Sequence, residues 1–337
     1  MKRSIAVYLA AVGALLVAVV HVQAEFIYWT QDNNKPAGGG DIRRANLDGS
    51  GQTTLVTGLS EPSGINLDAQ GGQMYWADGG PPTGGGDIRR ANLDGTATKV
   101  LFSVTTGRNV VLDLPDGGLF FTDYGDNGVG GRIGRANLDG TSRATIINNV
   151  PASGIALDRA AGQFFWTYNP NENSGSGSIR RANLDGTGQT PVIAGLTTPN
   201  GIAVDPVGGK IYWAQAIGGP SATGTIDRAN FDGSGKETLA SGLGEPFQIA
   251  LDLAAGKIYW SDFGTTGPGN VTVPGTGDIR RANLDGSDQE ILIANLNEPA
   301  GVALAVPEPT TLLSLSVVGC SMLLPGRRRP LAPYRVA

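Results

Sequence analysis

The chain is predicted to fold as an all-β, six-bladed β-propeller of four-stranded antiparallel blades, and three observations carry that prediction. The segment Asp-Ile-Arg-Arg-Ala-Asn-Leu-Asp-Gly that starts at Asp41 returns near-verbatim five more times, its Asp-Gly pairs beginning at Asp48, Asp94, Asp139, Asp185, Asp232 and Asp285. Steps of 46, 45, 46, 47 and 53 residues mark one supersecondary unit copied six times. All five tryptophans occupy one position of a recurring aromatic segment, and no helical periodicity interrupts the copies.

From the N-terminus, Lys2 and Arg3 precede an apolar run from Ile5 to Val20, and Val22-Gln23-Ala24 reads as a small-residue cleavage site. Residues 1–24 are therefore expected to be a signal peptide, cleaved between Ala24 and Glu25; an uncleaved membrane anchor is the alternative. The propeller is expected to span residues 25–306.

Each unit holds four β-like segments. The first is apolar and ends in Asp, as in Gly64-Ile65-Asn66-Leu67-Asp68, with later copies ending at Asp113, Asp158, Asp205 and Asp252 and a last one from Gly301 to Val306. The second is aromatic: Ile27-Tyr28-Trp29, Met74-Tyr75-Trp76, Leu119-Phe120-Phe121, Phe164-Phe165-Trp166, Ile211-Tyr212-Trp213 and Ile258-Tyr259-Trp260. The third carries Ile-x-Arg-Ala-Asn-Leu-Asp-Gly, whose Asp-Gly suits a tight turn with positive φ. The fourth follows, as in Gln52 to Val56 or Ile291 to Ala294. Because the repeats begin at a second segment and end on a first one, the C-terminal strand is expected to complete the N-terminal blade and close the ring, hiding two open edges. A stacked solenoid would need atypical capping repeats at its ends, and the sequence has none.

The aromatic segment with its following residues, as in Trp76-Ala77-Asp78, Phe121-Thr122-Asp123 and Trp260-Ser261-Asp262, together with the downstream Arg-Ala-Asn-Leu-Asp-Gly, resembles the YWTD repeat, class B of the low-density lipoprotein receptor. The resemblance covers all six units, about 280 residues. It implies a six-bladed propeller that most often binds other proteins. Only Thr122-Asp123 keeps the Thr-Asp pair intact, and the cysteine-rich modules of the receptors are absent.

Beyond the repeats, Val306-Pro307-Glu308-Pro309 leads into an apolar stretch from Thr311 to Leu324 and then Arg327, Arg328 and Arg329. As a helix that stretch would reach about 21 Å, short of a hydrocarbon core of about 30 Å. The order Pro-Glu-Pro, apolar segment, Arg cluster resembles the PEP-CTERM sorting signal of Gram-negative bacteria. That resemblance implies an exosortase-type processing enzyme as a partner of residues 307–337 and transient or permanent membrane association; an ordinary anchor obeying the positive-inside bias is the alternative. Either way the propeller is expected outside the cytoplasm, at the cell envelope, surface or extracellular matrix.

Rare residues exclude chemistry. Cys320, the only cysteine, lies in the apolar tail, and His21, the only histidine, lies in the signal peptide. The exported body thus has no internal disulfide and no histidine for a Ser-His-Asp triad. Between residues 25 and 306 stand 29 Asp and Glu against 19 Lys and Arg, a net of −10 that argues against nucleic acid.

Positions present in all six copies read as scaffold. Arg44, Arg90, Arg135, Arg181, Arg228 and Arg281 are expected between blades, paired with the Asp of Asp-Gly rather than forming an anion-binding ring, and the tryptophans are expected to pack between blades rather than serve as sugar platforms. Function belongs where the copies differ. The second-to-third connections, residues 31–40, 77–86, 123–131, 168–178, 214–224 and 262–277, vary in length and share a face with the fourth-to-first connections. The longest, 262–277, is either a binding loop or a tolerated insertion. On that face the channel mouth should carry Glu61, Arg108, Asn109, Asn200, Glu245, Gln248 and Glu298, the candidate ligand face. Its oxygens are of the kind Ca²⁺ takes, but a ring spreads them apart, so solvated side chains are expected, with no metal, no cofactor and no catalytic residue. The sequence thus points to a non-enzymatic binding or scaffold module for a protein or extracellular polysaccharide. A metal-dependent, lactonase-like hydrolase on the same fold is the alternative.

Overall fold

The computed structural model describes residues 25–32, 39–80, 85–126, 128–170, 175–216, 224–265 and 272–305. The expected signal peptide with Ala24 and the tail with Pro307, Glu308, Pro309, Arg327, Arg328 and Arg329 lie outside the described residues, as does part of every variable loop. Glu25 is the first residue described, and its backbone N–H donates to the carbonyl of Ala305 at 3.0 Å.

Six four-stranded antiparallel sheets form six blades. The innermost strands, in ring order from blade I, are β24 (Pro299–Ala305), β4 (Pro62–Asp68), β8 (Gly107–Asp113), β12 (Ala152–Asp158), β16 (Thr198–Asp205) and β20 (Pro246–Asp252). Next come the aromatic strands β1 (Phe26–Gln31), β5 (Gln73–Asp78), β9 (Gly118–Asp126), β13 (Gln163–Tyr168), β17 (Lys210–Ala216) and β21 (Lys257–Asp262). The third strands are β2 (Gly40–Asn46), β6 (Gly86–Asn92), β10 (Val129–Asn137), β14 (Gly177–Asn183), β18 (Gly224–Asn230) and β22 (Gly277–Asn283). The outer ones are β3 (Thr53–Leu59), β7 (Lys99–Val104), β11 (Ala144–Asn148), β15 (Thr190–Leu196), β19 (Glu237–Leu243) and β23 (Glu290–Leu296). As expected, the last strand pairs with the first, Phe26 facing Ala305 and Trp29 facing Val302. Among the described residues one 3₁₀ turn, Leu114–Asp116, sits between β8 and β9, where Pro115 fixes its φ.

The core lies between the blades. Trp76 of blade II packs with Tyr28, Ile42, Val56 and Leu59 of blade I, and Trp260 of blade VI with Tyr212, Ile226 and Leu243 of blade V. Every tryptophan is at most 1% exposed. The indoles therefore act as inter-blade filling.

The repeated Arg-Ala-Asn-Leu-Asp-Gly segment is a second inter-blade clamp, by a different contact from the one the sequence suggests. Asp48 Oδ1 accepts the backbone N–H of Ser50 at 2.9 Å and its hydroxyl, and the same arrangement recurs at Asp94, Asp139, Asp185, Asp232 and Asp285. These hydrogen bonds hold all six carboxyls below the usual aspartate range. That carboxylate takes its hydrogen bonds within its own turn; the arginine of the preceding blade lowers it through space at Asp48, Asp94, Asp185, Asp232 and Asp285 and makes its direct hydrogen bonds elsewhere. Arg281 donates to the Leu47 carbonyl of the next blade at 3.0 Å and to Glu290, and Arg228 to the Leu284 carbonyl at 2.7 Å and to Glu237. Arg44 instead stacks on Phe26, 4.7 Å from the ring centre.

Candidate functional site

The mouth of the channel is built by the starts of the six inner strands. One aligned position carries Gly64, Asn109, Gly154, Gly201, Gln248 and Gly301 in blades II, III, IV, V, VI and I. At the glycines the next inner strand passes very close: a Cβ on Gly64 would lie 2.9 Å from the Arg108 carbonyl oxygen, and one on Gly201 2.5 Å from that of Phe247. The two amides stand three blades apart, on opposite sides of the ring. Asn109 Nδ2 donates to Gln248 Oε1 at 2.9 Å, and both residues are buried. This bridge spans the channel between blades III and VI. Below it lies a cavity of 290 Å³ walled in part by Asn66, Val111, Ala156, Ala203, Ala250 and Ala303.

In four of the six blades the residue that follows the tryptophan slot locks neighbouring inner strands together. Thr30 donates to the Ser63 carbonyl at 2.7 Å, Thr122 to that of Ser153 at 2.8 Å, Thr167 to that of Asn200 at 2.6 Å, and Ser261 to that of Ala300. Thr30, Thr167 and Ser261 also accept the N–H of Gly301, Gly154 and Gln248 of their own blade. Blades II and V carry Ala77 and Ala214 here, and the blades after them are the two that bear an amide at the mouth. Latch hydroxyls in blades I, III, IV and VI and amides in blades III and VI thus repeat around the ring with an approximate two-fold pattern.

The next residue positions the mouth glutamates. Asp78 and Asp262, each under 3% exposed, accept the backbone N–H of Glu61 at 3.0 Å and of Glu245 at 2.7 Å, and Asp123 accepts those of Thr105 and Thr106. Arg89 and Arg132 lie 3.4 and 3.1 Å from Asp78 and Asp123. A buried aspartate therefore fixes each such loop through charge-assisted hydrogen bonds.

Of the seven residues on the candidate ligand face, Asn109 and Gln248 meet each other. Glu245, Glu298 and Glu61 precede the inner strands of three successive blades, VI, I and II, and form an acidic arc. Asn200 is buried and donates to the Pro246 carbonyl at 3.2 Å, which makes it a stitch between β16 and β20. Arg108 lies over the Tyr124 ring, 5.2 Å from its centre, and its charge partly offsets the burial that raises the Glu61 carboxyl. The structure adds Asp32, whose carboxyl burial pushes up to about 7, with Glu298, Glu61 and Asp78 repelling its charge. It also adds aromatic side chains: Phe247 packs on Phe263 with centroids 5.6 Å apart, and Arg180 covers Tyr168 at 5.0 Å. Asp32, Phe247 and Phe263 each occur in a single copy, so repetition could not flag them. Among the described residues no three Asp, Glu, His or Cys side chains stand close enough together to hold a metal ion.

A scan against protein-family models gives no match, and neither does a search of curated proteins. Among solved structures the chain is similar to a chain of a nidogen/laminin complex, with TM-score 0.65 and 20% identity over 83% of this chain and 98% of that one. It is also similar to TolB from Acinetobacter baumannii, with TM-score 0.64 and 13% identity over 84% and 66%. A gluconolactonase from Xanthomonas campestris matches with TM-score 0.53 and 17% identity over 72% and 78%. Together with the blade architecture, these likenesses describe a YWTD-like six-bladed propeller fold.

Proposed function

We propose that the protein is an exported binding module that engages a protein or an extracellular polysaccharide through the mouth face of the propeller. The observation that carries this reading is the Asn109–Gln248 bridge. It crosses the axial channel at the level of the mouth, so two buried amides stand there in place of an open axis, and the face above them is read as a surface for a large partner. An acidic arc on blades VI, I and II and the Phe247–Phe263 pair border that face, and such a mixture of charge and aromatic surface suits a macromolecular partner. The similarity to a chain from a nidogen/laminin complex is in keeping with this use, whereas the gluconolactonase likeness rests on fold, which does not assign activity. The apolar leader at 1–24 and the Pro-Glu-Pro tail, read as an exosortase-type sorting signal, support a location at the cell envelope, surface or matrix of a Gram-negative-type bacterium.

Purified protein applied to isolated outer-membrane and extracellular-polysaccharide fractions of the producing cell tests the reading. Binding is expected to fall about tenfold in Glu61→Gln/Glu245→Gln, while Asp94→Asn on the opposite face leaves it unchanged. Absence of binding to both fractions, or hydrolysis of lactones that depends on Glu61, would overturn it. Deleting residues 307–337 is expected to shift the protein from the envelope to the medium.

A further inference from the structure

The axial cavity of 290 Å³ beneath the Asn109–Gln248 bridge has no part in the function proposed for the mouth face. It is reached from the other side. Leu253, exposed on the face that carries the first-to-second turns, forms part of its wall. Roughly 150 Å³ already accommodates benzene in an engineered cavity, so this one admits a compact organic molecule.

The room comes from small side chains. Two residues beyond the mouth position of each inner strand stand Asn66, Val111, Ala156, Ala203, Ala250 and Ala303, so four neighbouring blades, IV, V, VI and I, carry alanine there. Each inner strand also pairs on one side only, with the aromatic strand of its blade, and its other edge turns backbone N–H and C=O groups toward the axis.

The side chains of the wall are of two kinds. Aliphatic groups make up most of it, and the polar ones are the amides of Asn66, Asn109 and Gln248; among the described residues no charged group, hydroxyl or aromatic ring lines it. The aspartates that end five inner strands are not part of the wall. Asp68, Asp158, Asp205 and Asp252 accept backbone N–H groups of their own turns, and Asp113 pairs with Arg159 at 2.6 Å.

The three amides do not satisfy one another. The bridge uses Asn109 Nδ2 and Gln248 Oε1 and leaves Asn109 Oδ1 and Gln248 Nε2 without a partner among the described residues, and neither atom is sealed from solvent. Exchanging O and N in both amides would again leave one donor and one acceptor. The Asn66 side chain, the only polar one at its level of the channel, likewise makes no hydrogen bond among the described residues.

We infer that this cavity binds a compact uncharged lactam or carboxamide, whose C=O and N–H pair with the amides left open at Asn66, Asn109 and Gln248 while its aliphatic body lies against the alanine side of the wall. A carboxylate or an ammonium would lose its water there with no counter-charge in return. A wholly aliphatic ligand would leave the amides unpaired. The cavity and the mouth face stand on opposite sides of the bridge, so binding below does not depend on the partner proposed above.

ε-Caprolactam is the probe, titrated into the purified protein by calorimetry and followed by ligand-observed NMR. Saturable binding at one site is expected, with 6-aminohexanoate, the same ring opened to a zwitterion, at least about tenfold weaker. Asn66→Leu keeps the size of the side chain, so the melting temperature should hold while affinity falls about tenfold. Ala250→Leu should narrow the channel and remove binding, whereas Glu61→Gln at the mouth should leave it intact. The inference is overturned by absence of saturation at about 50 mM probe, by 6-aminohexanoate or hexylamine binding as well as the lactam, or by equal affinity in Asn66→Leu.

Discussion

Asp32 shows how one side chain at the mouth couples charge to conformation. Its carboxyl titrates near 7 in the folded protein because it is largely withdrawn from water and faces Glu298, Glu61 and Asp78, whereas in the unfolded chain it returns to 3.8. Between those two values the folded state holds a proton that the unfolded state has lost. This group therefore lowers stability as pH rises through that window, and its penalty is complete above about 7. Asp32→Asn is expected to raise stability at pH 8 by about 1 kcal/mol, a figure discounted for the partial exposure of the group, and to change little at pH 3. Thermal unfolding of both proteins across that range measures it, and a constant difference at all pH values would contradict the assignment. The same ionisation adds negative charge to the acidic arc, so a cationic partner should bind more tightly above pH 7 than below it. At a scaffold position, Gly95 answers a different demand: its φ of +86° and the closeness of the Leu55 carbonyl both exclude a side chain. Gly95→Ala is expected to cost more than about 1 kcal/mol in denaturant unfolding, since it meets strain and a clash together.

At the scale of the element, the aromatic strand does three jobs with three consecutive residues. In blade IV, Phe165 and Trp166 fill the spaces on the two sides of the sheet, and the Thr167 hydroxyl ties Gly154 of its own blade to Asn200 of the next. Thr167→Val keeps the shape but leaves a buried N–H and a buried carbonyl without that partner. A loss of about 1 to 3 kcal/mol in denaturant unfolding is expected. The strands, their order and the side of the sheet each residue faces were legible in the sequence because a fixed spacing repeats six times and the tryptophans mark one slot. The hydrogen-bond acceptor of Arg281 was not legible. A six-fold Asp is a natural counter-charge by count, and Arg281 does lower Asp48 of the next blade through space, but the Ser50 hydroxyl and N–H claim that carboxylate within its own turn, and the arginine donates to the adjacent Leu47 carbonyl instead. Likewise Phe121 and Gly134 are each visible as departures from the repeat, yet only the strand register sets them opposite one another, so that the Phe121 ring packs over the glycine where the other blades carry a strand-three side chain.

For the whole molecule the decisive contacts join parts that the chain keeps far apart. β24 completes the blade begun by β1, and Asn109 meets Gln248 across the axis, 139 residues away in sequence. Residue type and position placed both amides at the mouth, but no local pattern in a repeat tells whether opposite blades come within reach, since that depends on the diameter of the closed ring. The bridge works only if closure sets that diameter. Asn109→Ala and Gln248→Ala should therefore be non-additive: each single substitution leaves the other amide without its partner, and the double mutant leaves none stranded. A coupling energy of about 1 kcal/mol is expected from a double-mutant cycle in denaturant unfolding. Equal and additive losses would mean that each amide serves only its own blade. If the coupling is found, both single mutants should also open the mouth toward the cavity of 290 Å³ beneath it, turning a bridged axis into an open one. Partner binding at the mouth face should then weaken in proportion to the lost coupling, because a floor that no longer spans the axis no longer holds the acidic arc and the Phe247–Phe263 pair at a fixed distance from each other.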